Sequence, residues 1–288
     1  MPIDYRRESE WWDAGAEAEE EIGDDQAINV ALRWREIDRH LDGTETILEV
    51  GGGTGRFSIP LAERGFRVTH LDLAPKMLDI ARSKAEEKKL DNITFTEGVA
   101  ADLSRFRDRS FDLVLNLDGA ISFSGEDAEK AMRESCRVAG RKLIVTTSNR
   151  GRILPVWAEE SIMELGRMPG MVYEMLEDGT WDQDHFPENP DLAKGNRFDR
   201  FGPFKAFLFN EVRQVLESAG MRILRLTGLG SLCYLCNRET IEKVLGDERL
   251  LAEFTELCER FDLEVLPHGP GSRARAGIIA VAEPAGMR

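Results

Sequence analysis

A chain of 288 residues that is 42% hydrophobic and 32% charged has enough apolar material for a full core, and it holds no apolar run long enough to span a membrane. Its formal net charge of −15 opposes a nonspecific grip on DNA or RNA, which needs basic surface to neutralise phosphates. The opening Met1-Pro2-Ile3-Asp4-Tyr5-Arg6-Arg7-Glu8 lacks the apolar centre of a signal peptide, so a cytoplasmic location without membrane attachment is expected.

The acidic block Glu17 to Glu21, with Asp24 and Asp25, reads as a solvated helix face, and Asp25 to Leu41 as a helix leading into the first strand. That strand, Thr46-Ile47-Leu48-Glu49-Val50, ends in an acidic residue and runs into Gly51-Gly52-Gly53-Thr54-Gly55, with glycines at alternate positions 51, 53 and 55. Arg56 to Arg64 is a short helix, and Phe66 to Leu73 a second strand ending at Asp72. Ala74-Pro75-Lys76 opens the next helix, because proline is preorganised for a first helical turn, and Met77, Leu78, Ala81 and Ala85 form its inward face. Asn92 to Glu97 is a third strand, and Ser110 to Asp118 a fourth with the continuous apolar character of a strand covered on both faces. Glu126 to Ala139 carries an apolar stripe at helical spacing, Gly140 is expected to stop that helix, and Arg141 to Thr147 is a fifth strand. Strands alternating with helices across residues 45–147 predict a doubly wound parallel sheet, whose strands all deliver their carboxyl ends to one rim.

From Ser148 to about Pro203 the alternation stops in a segment too long for a plain connection, and an insertion covering the rim is expected. The core pattern then resumes. Asn210 is expected to cap a helix from Glu211 to Ala219, Met221 to Leu226 is a strand, helical segments fill Glu239 to Arg260, and Ala276 to Ala282 is a final strand. Cys233 and Cys236 have the spacing of a redox or zinc half-site, but no second pair matches them and their flanks are apolar. They read, with Cys136 and Cys258, as buried thiols, and no metal is expected.

A strand that feeds a glycine turn lets backbone amides approach a ligand that any Cβ would push away, and a carboxylate at the next strand end can accept from a ribose diol. The pair Gly51–Gly55 and Asp72 therefore points to a nucleoside-containing cofactor. A dinucleotide site wants a third glycine in G-x-G-x-x-G, and that place holds Arg56 or Ser58 depending on where the count begins, which disfavours a nicotinamide-dependent oxidoreductase.

Taken in order, Glu49-Val50-Gly51-Gly52-Gly53-Thr54-Gly55, Asp72-Leu73-Ala74-Pro75-Lys76-Met77-Leu78, Phe111-Asp112-Leu113-Val114-Leu115 and Phe209-Asn210-Glu211-Val212 resemble the motifs of class I S-adenosylmethionine-dependent methyltransferases of small-molecule type. The resemblance covers roughly residues 25–150 and 205–283. It implies a Rossmann-like, mostly parallel seven-stranded α/β sheet with helices on both faces and an insertion after the fifth strand. Residues 1–42 would be a helical cap, 43–147 and 204–288 the core, and 148–203 a substrate lid. It also implies S-adenosylmethionine as methyl donor and S-adenosylhomocysteine as product. Gly51, Gly53 and Gly55 would pack on the methionine portion, with Glu49 anchoring the loop or reaching the amine. Asp72 would hold the ribose, Leu73 and Met77 would lie by the nucleoside, and Val99, Ala100 and Asp102 would border the adenine. The family often carries Asp where Val99 stands, and Asp102 or the backbone of Ala100 is expected to substitute. Asn116, Leu117 and Asp118 would sit beneath the sulfonium.

Methyl transfer from a sulfonium is an in-line displacement, so alignment matters most and a base helps only if the acceptor must lose a proton. His185, among Asp182, Asp184 and Glu188, is the candidate base, and Asp118 the candidate acceptor-facing carboxylate, with loop capping as its alternative role. No Asn-Pro-Pro-Tyr sequence follows the fourth strand, where Asn116-Leu117-Asp118-Gly119 stands instead, so a small-molecule acceptor is expected rather than a nucleic acid. The rim carboxylates suggest a neutral or cationic one. Tyr5, Trp11 and Trp12 either form a lid over the cofactor or anchor a helix. Action on a protein or RNA, and a cofactor-binding module without catalysis, stand as alternatives, and a homodimer is compatible with the sequence.

Overall fold

The computed structural model describes residues 3–20, 24–117, 119–168, 170–181, 203–266 and 277–286. Helices α1 (Tyr5–Gly15) and α2 (Asp24–Asp38) precede a βα alternation: β1 (Thr46–Val50), α3 (Ser58–Glu63), β2 (Arg67–Asp72), α4 (Pro75–Glu87), β3 (Ile93–Glu97), β4 (Phe111–Asn116), α5 (Ala128–Val138) and β5 (Ala139–Thr147). Helices α6 (Arg150–Leu165) and α7 (Gly170–Glu177) and the two-residue strands β6 (Thr180–Trp181) and β7 (Phe204–Lys205) interrupt it. The chain returns through α8 (Phe209–Ser218), β8 (Met221–Leu229), α9 (Arg238–Leu245), α10 (Glu248–Arg260) and β9 (Gly277–Pro284).

The main sheet has seven strands in the order β3-β2-β1-β4-β5-β9-β8, parallel from β3 to β5, with β9 antiparallel to both of its neighbours. Its strands sort their side chains with the period of two that a pleated strand imposes. Leu48, Val114, Leu143 and Ala280 face one core with Met132, Val212 and Leu216 of α5 and α8. Ile47, Leu113, Ile144 and Ile279 face the other with Ile28, Leu32 and Leu61 of α2 and α3. Both faces are apolar because both are covered, which explains the near-continuous apolar runs in β4 and β5. Among the described residues no helix is long and apolar enough to cross a membrane.

Two local expectations are corrected. Gly140 does not stop a helix; it lies inside β5, where a Cβ would come within 2.9 Å of the Arg109 and Phe111 carbonyl oxygens, so its role is close strand packing. Asn210 does not cap α8. The helix starts at Phe209, with Leu208 as its N-cap, because the Glu211 carboxylate reaches back to accept from the Leu208 amide at 2.8 Å.

The segment between β5 and α8 has a small core of its own, built on Trp157, Met175, Trp181, Phe204 and Ala206, with the Trp157 and Trp181 rings stacked at 3.9 Å. Arg150, which is buried, fastens it to the sheet layer. Its guanidinium donates to both Glu211 carboxylate oxygens at 2.8 and 2.9 Å and to the Glu177 carbonyl at 3.1 Å, joining α6, α7 and α8. Leaving a buried guanidinium without its carboxylate costs about 3 kcal/mol. Glu211→Gln should therefore lower the thermal midpoint clearly, whereas the exposed i,i+4 pair Arg249–Glu253 should contribute almost nothing. Equal midpoints for Glu211→Gln and Glu253→Gln would refute the anchoring role.

Candidate functional site

The backbone leaves β1 through Gly51, Gly53 and Gly55 at φ of 69°, 54° and 89°, a left-handed region that costs L side chains. Space is a second constraint. A Cβ at Gly51 would sit 2.3 Å from the Ala120 Cβ, and one at Gly52 would sit 2.3 Å from the His70 ring. Gly55 faces away from the ligand side, since its Cβ would meet Ile59 of α3 at 2.7 Å.

Strand β2 holds this loop in place. The Gly51 and Gly52 amides donate to the Leu71 carbonyl at 2.8 and 3.0 Å. Asp72 Oδ2 accepts from the Gly53 amide at 2.8 Å, and Oδ1 accepts from the Ala74 amide at 2.9 Å. Burial pushes the Asp72 pKa upward, and the amides of Ala74, Gly53 and Leu73 pull against that rise. Behind the loop the Ser58 hydroxyl lies between the Glu49 carboxylate and His70 Nδ1, the latter at 2.7 Å, while His70 Nε2 meets the Gly53 carbonyl at 3.1 Å. An Nε2–H tautomer donates to that carbonyl. Burial lowers the His70 pKa to about 4, so the ring is neutral near pH 7.

The loop forms one wall of a cavity of about 550 Å³. Of the expected cofactor residues, Glu49, Gly51, Gly53, Asp72, Leu73, Met77, Val99, Ala100 and Leu117 line it. Three do not. Gly55 packs on α3. Asn116 is fully buried and donates to Ser135 Oγ at 3.0 Å. Asp102 is exposed and accepts from the Ser104 amide at 3.0 Å, so it does not replace the missing adenine-side carboxylate; Gly98, Val99 and Ala100 form that part of the wall. Asp118 and His185 lie outside the described residues, as do Asp182, Asp184 and Glu188.

Helix α1 lines the cavity with Tyr5, Glu8, Trp11 and Trp12 and is fastened to the loop's neighbourhood. Tyr5 OH donates to Asp127 Oδ2 at 2.8 Å, Ser9 Oγ donates to the Leu73 carbonyl at 2.9 Å, and Asp13 Oδ1 accepts from the Lys76 amide at 2.8 Å. Arg56 donates to the Glu19 carbonyl at 2.6 Å. Trp11 and Trp12 line the cavity and meet Phe123, with ring centroids at 6.3 and 5.1 Å.

The opposite side is built by residues that carry no local motif. Gln26, Asn29, Val30 and Arg33 of α2 line the cavity with Thr147, Asn149, Arg152 and Tyr234. The spacing 26, 29, 30, 33 is one helix face, and its mixture of polar and apolar residues was the available signal. Cys233 and Cys258 are buried and Cys236 half-buried, with burial pushing the Cys258 thiol up to about 12.

Residues 47–141 match a family model described as a methyltransferase domain. The chain is 37% identical over 93 residues to the tRNA 5-carboxymethoxyuridine methyltransferase of Escherichia coli strain K12, covering 31% of this chain and 36% of that protein. It is 40% identical over 121 residues to the demethylmenaquinone methyltransferase of Thermus thermophilus, covering 40% of this chain and 53% of that one. The chain thus spans about half or less of the length of these curated relatives. The CcbJ methyltransferase of Streptomyces caelestis has the same fold, with a TM-score of 0.57 at 17% identity over 98% of this chain and 100% of that chain.

The state of His70 carries a pH consequence. Its folded pKa lies near 4 against about 6.5 in an unfolded chain, so below pH 6.5 the unfolded state takes up a proton that the folded state refuses. Its contribution is complete above pH 6.5 and is lost as pH falls toward 4, by about 3 kcal/mol at most. Urea midpoints measured from pH 7 to 4 should fall less steeply in His70→Asn than in the native chain; parallel slopes would show that His70 is not the proton acceptor.

Proposed function

We infer that this chain, a class I S-adenosylmethionine-dependent methyltransferase by its matched domain and its fold, transfers a methyl group to a small molecule bound in the cavity beside the glycine loop. The observation that carries the reading is one cavity of about 550 Å³ lined by the glycine loop and Asp72 together with residues of α2, α6 and the turn after β8. S-adenosylmethionine supplies a methyl group on a sulfonium, an electrophile that needs an aligned nucleophile more than an acid or a base.

The residues fit that donor. The loop carries no side chain at 51 to 53, and a Cβ at 51 or 52 could not be accommodated even without a ligand. Asp72 uses one lone pair of each oxygen on the Gly53 and Ala74 amides, and a carboxylate keeps further acceptor sites for a ribose diol. Leu73, Met77, Val99 and Ala100 offer an apolar slot for a base, with its polar contacts left to backbone groups. Leu117 and Gly119, which follow β4, line the same cavity, where the reacting atoms would meet.

On this reading residues 1–42 are the cap of the donor compartment and 148–203 the acceptor lid, both flanking the core of 43–147 and 204–288. Helix α1 is fastened beside the loop through Tyr5, Ser9 and Asp13, and Phe204 and Ile153 bring the insertion to the same cavity. His185 and Asp118 remain the proposed base and acceptor-facing carboxylate. A small acceptor in the cytoplasm is favoured over RNA by the net charge of −15.

Calorimetric titration with S-adenosylmethionine, S-adenosylhomocysteine and NADH tests the donor assignment. The two adenosyl ligands should bind and NADH should not. Asp72→Ala should weaken adenosyl binding by about 100-fold or more, since it removes a charged acceptor for two hydrogen bonds. Binding that survives in a well-folded Asp72→Ala protein, or a preference for NADH, would overturn the reading.

A further inference from the structure

The side chains of Glu49, Ser58 and His70 are buried, and they form one line of contacts behind the glycine loop. Glu49 of β1 and His70 of β2 are register partners in the parallel pairing, and Ser58 opens α3. The Ser58 hydroxyl meets the Glu49 carboxyl and, at 2.7 Å, His70 Nδ1; His70 Nε2 meets the Gly53 carbonyl at 3.1 Å. Glu49 is the member of the three that also lines the cavity.

Three contacts need three hydrogens. The Gly53 carbonyl brings none, so the last contact uses the Nε2–H of the ring. A neutral ring then offers only a lone pair at Nδ1, which takes the Ser58 proton. The Ser58 oxygen is left with lone pairs toward Glu49, and an ionised carboxylate there would set acceptor against acceptor in a buried place. The other tautomer moves that conflict to the Gly53 carbonyl without removing it. Ionised Glu49, Ser58 and neutral His70 bring two hydrogens in all, so the line is complete only with one more proton. Burial opposes an imidazolium, lowering the His70 pKa to about 4, and the carboxyl is the remaining place for it. The count concerns the oxygen that faces Ser58 and holds whatever the other oxygen meets.

Charges of both signs stand around this line. Arg82 and Lys84 come from α4, the first paired with Asp79 and the second donating to the Thr54 carbonyl. Arg56 follows the loop and Arg33 comes from α2, while Asp72 of β2 and Glu8 and Glu19 of the N-terminal segment reach the same cavity. On β4 the register partner of Glu49 is the apolar Leu115. With both signs present, the hydrogens inside the line fix the proton.

We propose that Ser58 and His70 hold Glu49 as a neutral carboxylic acid in the empty site, and that the cationic methyl donor, on binding, displaces this proton to solvent and leaves a carboxylate facing it. This rests on the methyltransferase reading and deepens it: Ser58 and His70 are positioning residues for the donor, acting through Glu49. S-adenosylmethionine carries a sulfonium and an ammonium group, and a positive charge beside a carboxyl favours its ionised form. A buried carboxylate without a cation is costly, so the acid form suits the empty cavity and the ionised form the filled one. Donor affinity and proton binding then oppose each other. Affinity falls with decreasing pH wherever the empty site holds the proton, by up to about tenfold per pH unit.

Two measurements on the whole chain test this. In the infrared, the carbonyl stretch of a protonated carboxylic acid should appear in the difference between ligand-free native protein and Glu49→Gln at pH 7, and S-adenosylmethionine should remove it. Calorimetric binding enthalpies at pH 7 in phosphate, HEPES and Tris, whose ionisation heats differ, should report release of about one proton per donor bound. Ser58→Ala breaks the line, and His70→Asn supplies the missing hydrogen from its amide; each should cut the release to less than about a third. Absence of the band, proton uptake, or no release in the native protein would overturn the proposal without any variant. Release that persists in Glu49→Gln or in Ser58→Ala would also overturn it and assign the proton to another group such as Asp72. If the band is present and neither S-adenosylmethionine nor S-adenosylhomocysteine binds, the donor assignment and the release fall together and the neutral acid stands.

Discussion

The site depends on the hold that β2 keeps on the loop after β1. Three consecutive amides of Gly51, Gly52 and Gly53 are taken up by the Leu71 carbonyl and the Asp72 carboxylate, while the His70 ring fills the space behind Gly52. Each of those partners comes from one strand, in register with β1 from Arg67 to Leu71. A shift of that register by one residue would turn His70 and Asp72 to the wrong faces and release the loop. The parallel pairing thus does more than build a core. It sets the height of the loop above the sheet, and the stiffness of the loop follows from hydrogen bonds that exist before any ligand arrives.

Why glycine is needed differs along the loop. Gly53 has open space on its Cβ side, with only Met77 Sδ at 4.0 Å, and needs glycine for its positive φ. Gly52 has no positive φ and needs glycine because His70 is in contact. His70 in turn is neutral because it is buried, and it keeps its orientation through Ser58 and the Gly53 carbonyl. Glu49, Ser58 and His70 form a buried polar chain in an otherwise apolar layer, and such a chain is stable only when each member is satisfied. Its effect is to make the loop, the start of α3 and β2 one rigid piece.

Much of this architecture is legible from the residues, and the reasons are local. Alternating apolar patterns and the turns between them identify β1 to β5, because a doubly wound sheet repeats one simple unit. Gly51, Gly53 and Asp72 stand out because their residue types are forced by backbone geometry and by charge. Asn116 and Asp102 depart from the expectation for a different reason: only packing decides whether such a side chain turns inward to Ser135, outward to Ser104, or to the cavity. The wall made by Asn29, Arg33, Arg152 and Tyr234 is only partly legible: Asn29 and Arg33 share one face of α2, but no local spacing links them to Arg152 of α6 or to Tyr234 in the turn after β8.

The two covers of the cavity come from distant parts of the chain, yet they meet at one ring. Phe123 touches Trp11 and Trp12 of α1 on one side and Phe204 of the insertion on the other, with centroid distances of 6.3, 5.1 and 5.1 Å. Gly119, at a φ of 115°, makes room for it, since a Cβ there would lie 3.0 Å from the Phe123 ring. An aromatic ring packed between two covers loses part of its contact when either one moves, so displacement of α1 weakens the seat of the insertion and the reverse. Both line one cavity, α1 with Trp11 and Trp12 and the insertion with Phe204 and Ile153. The shared ring ties the position of α1 to that of the insertion. Coupling of that kind needs no signal through the sheet; it follows from three aromatic contacts at the rim.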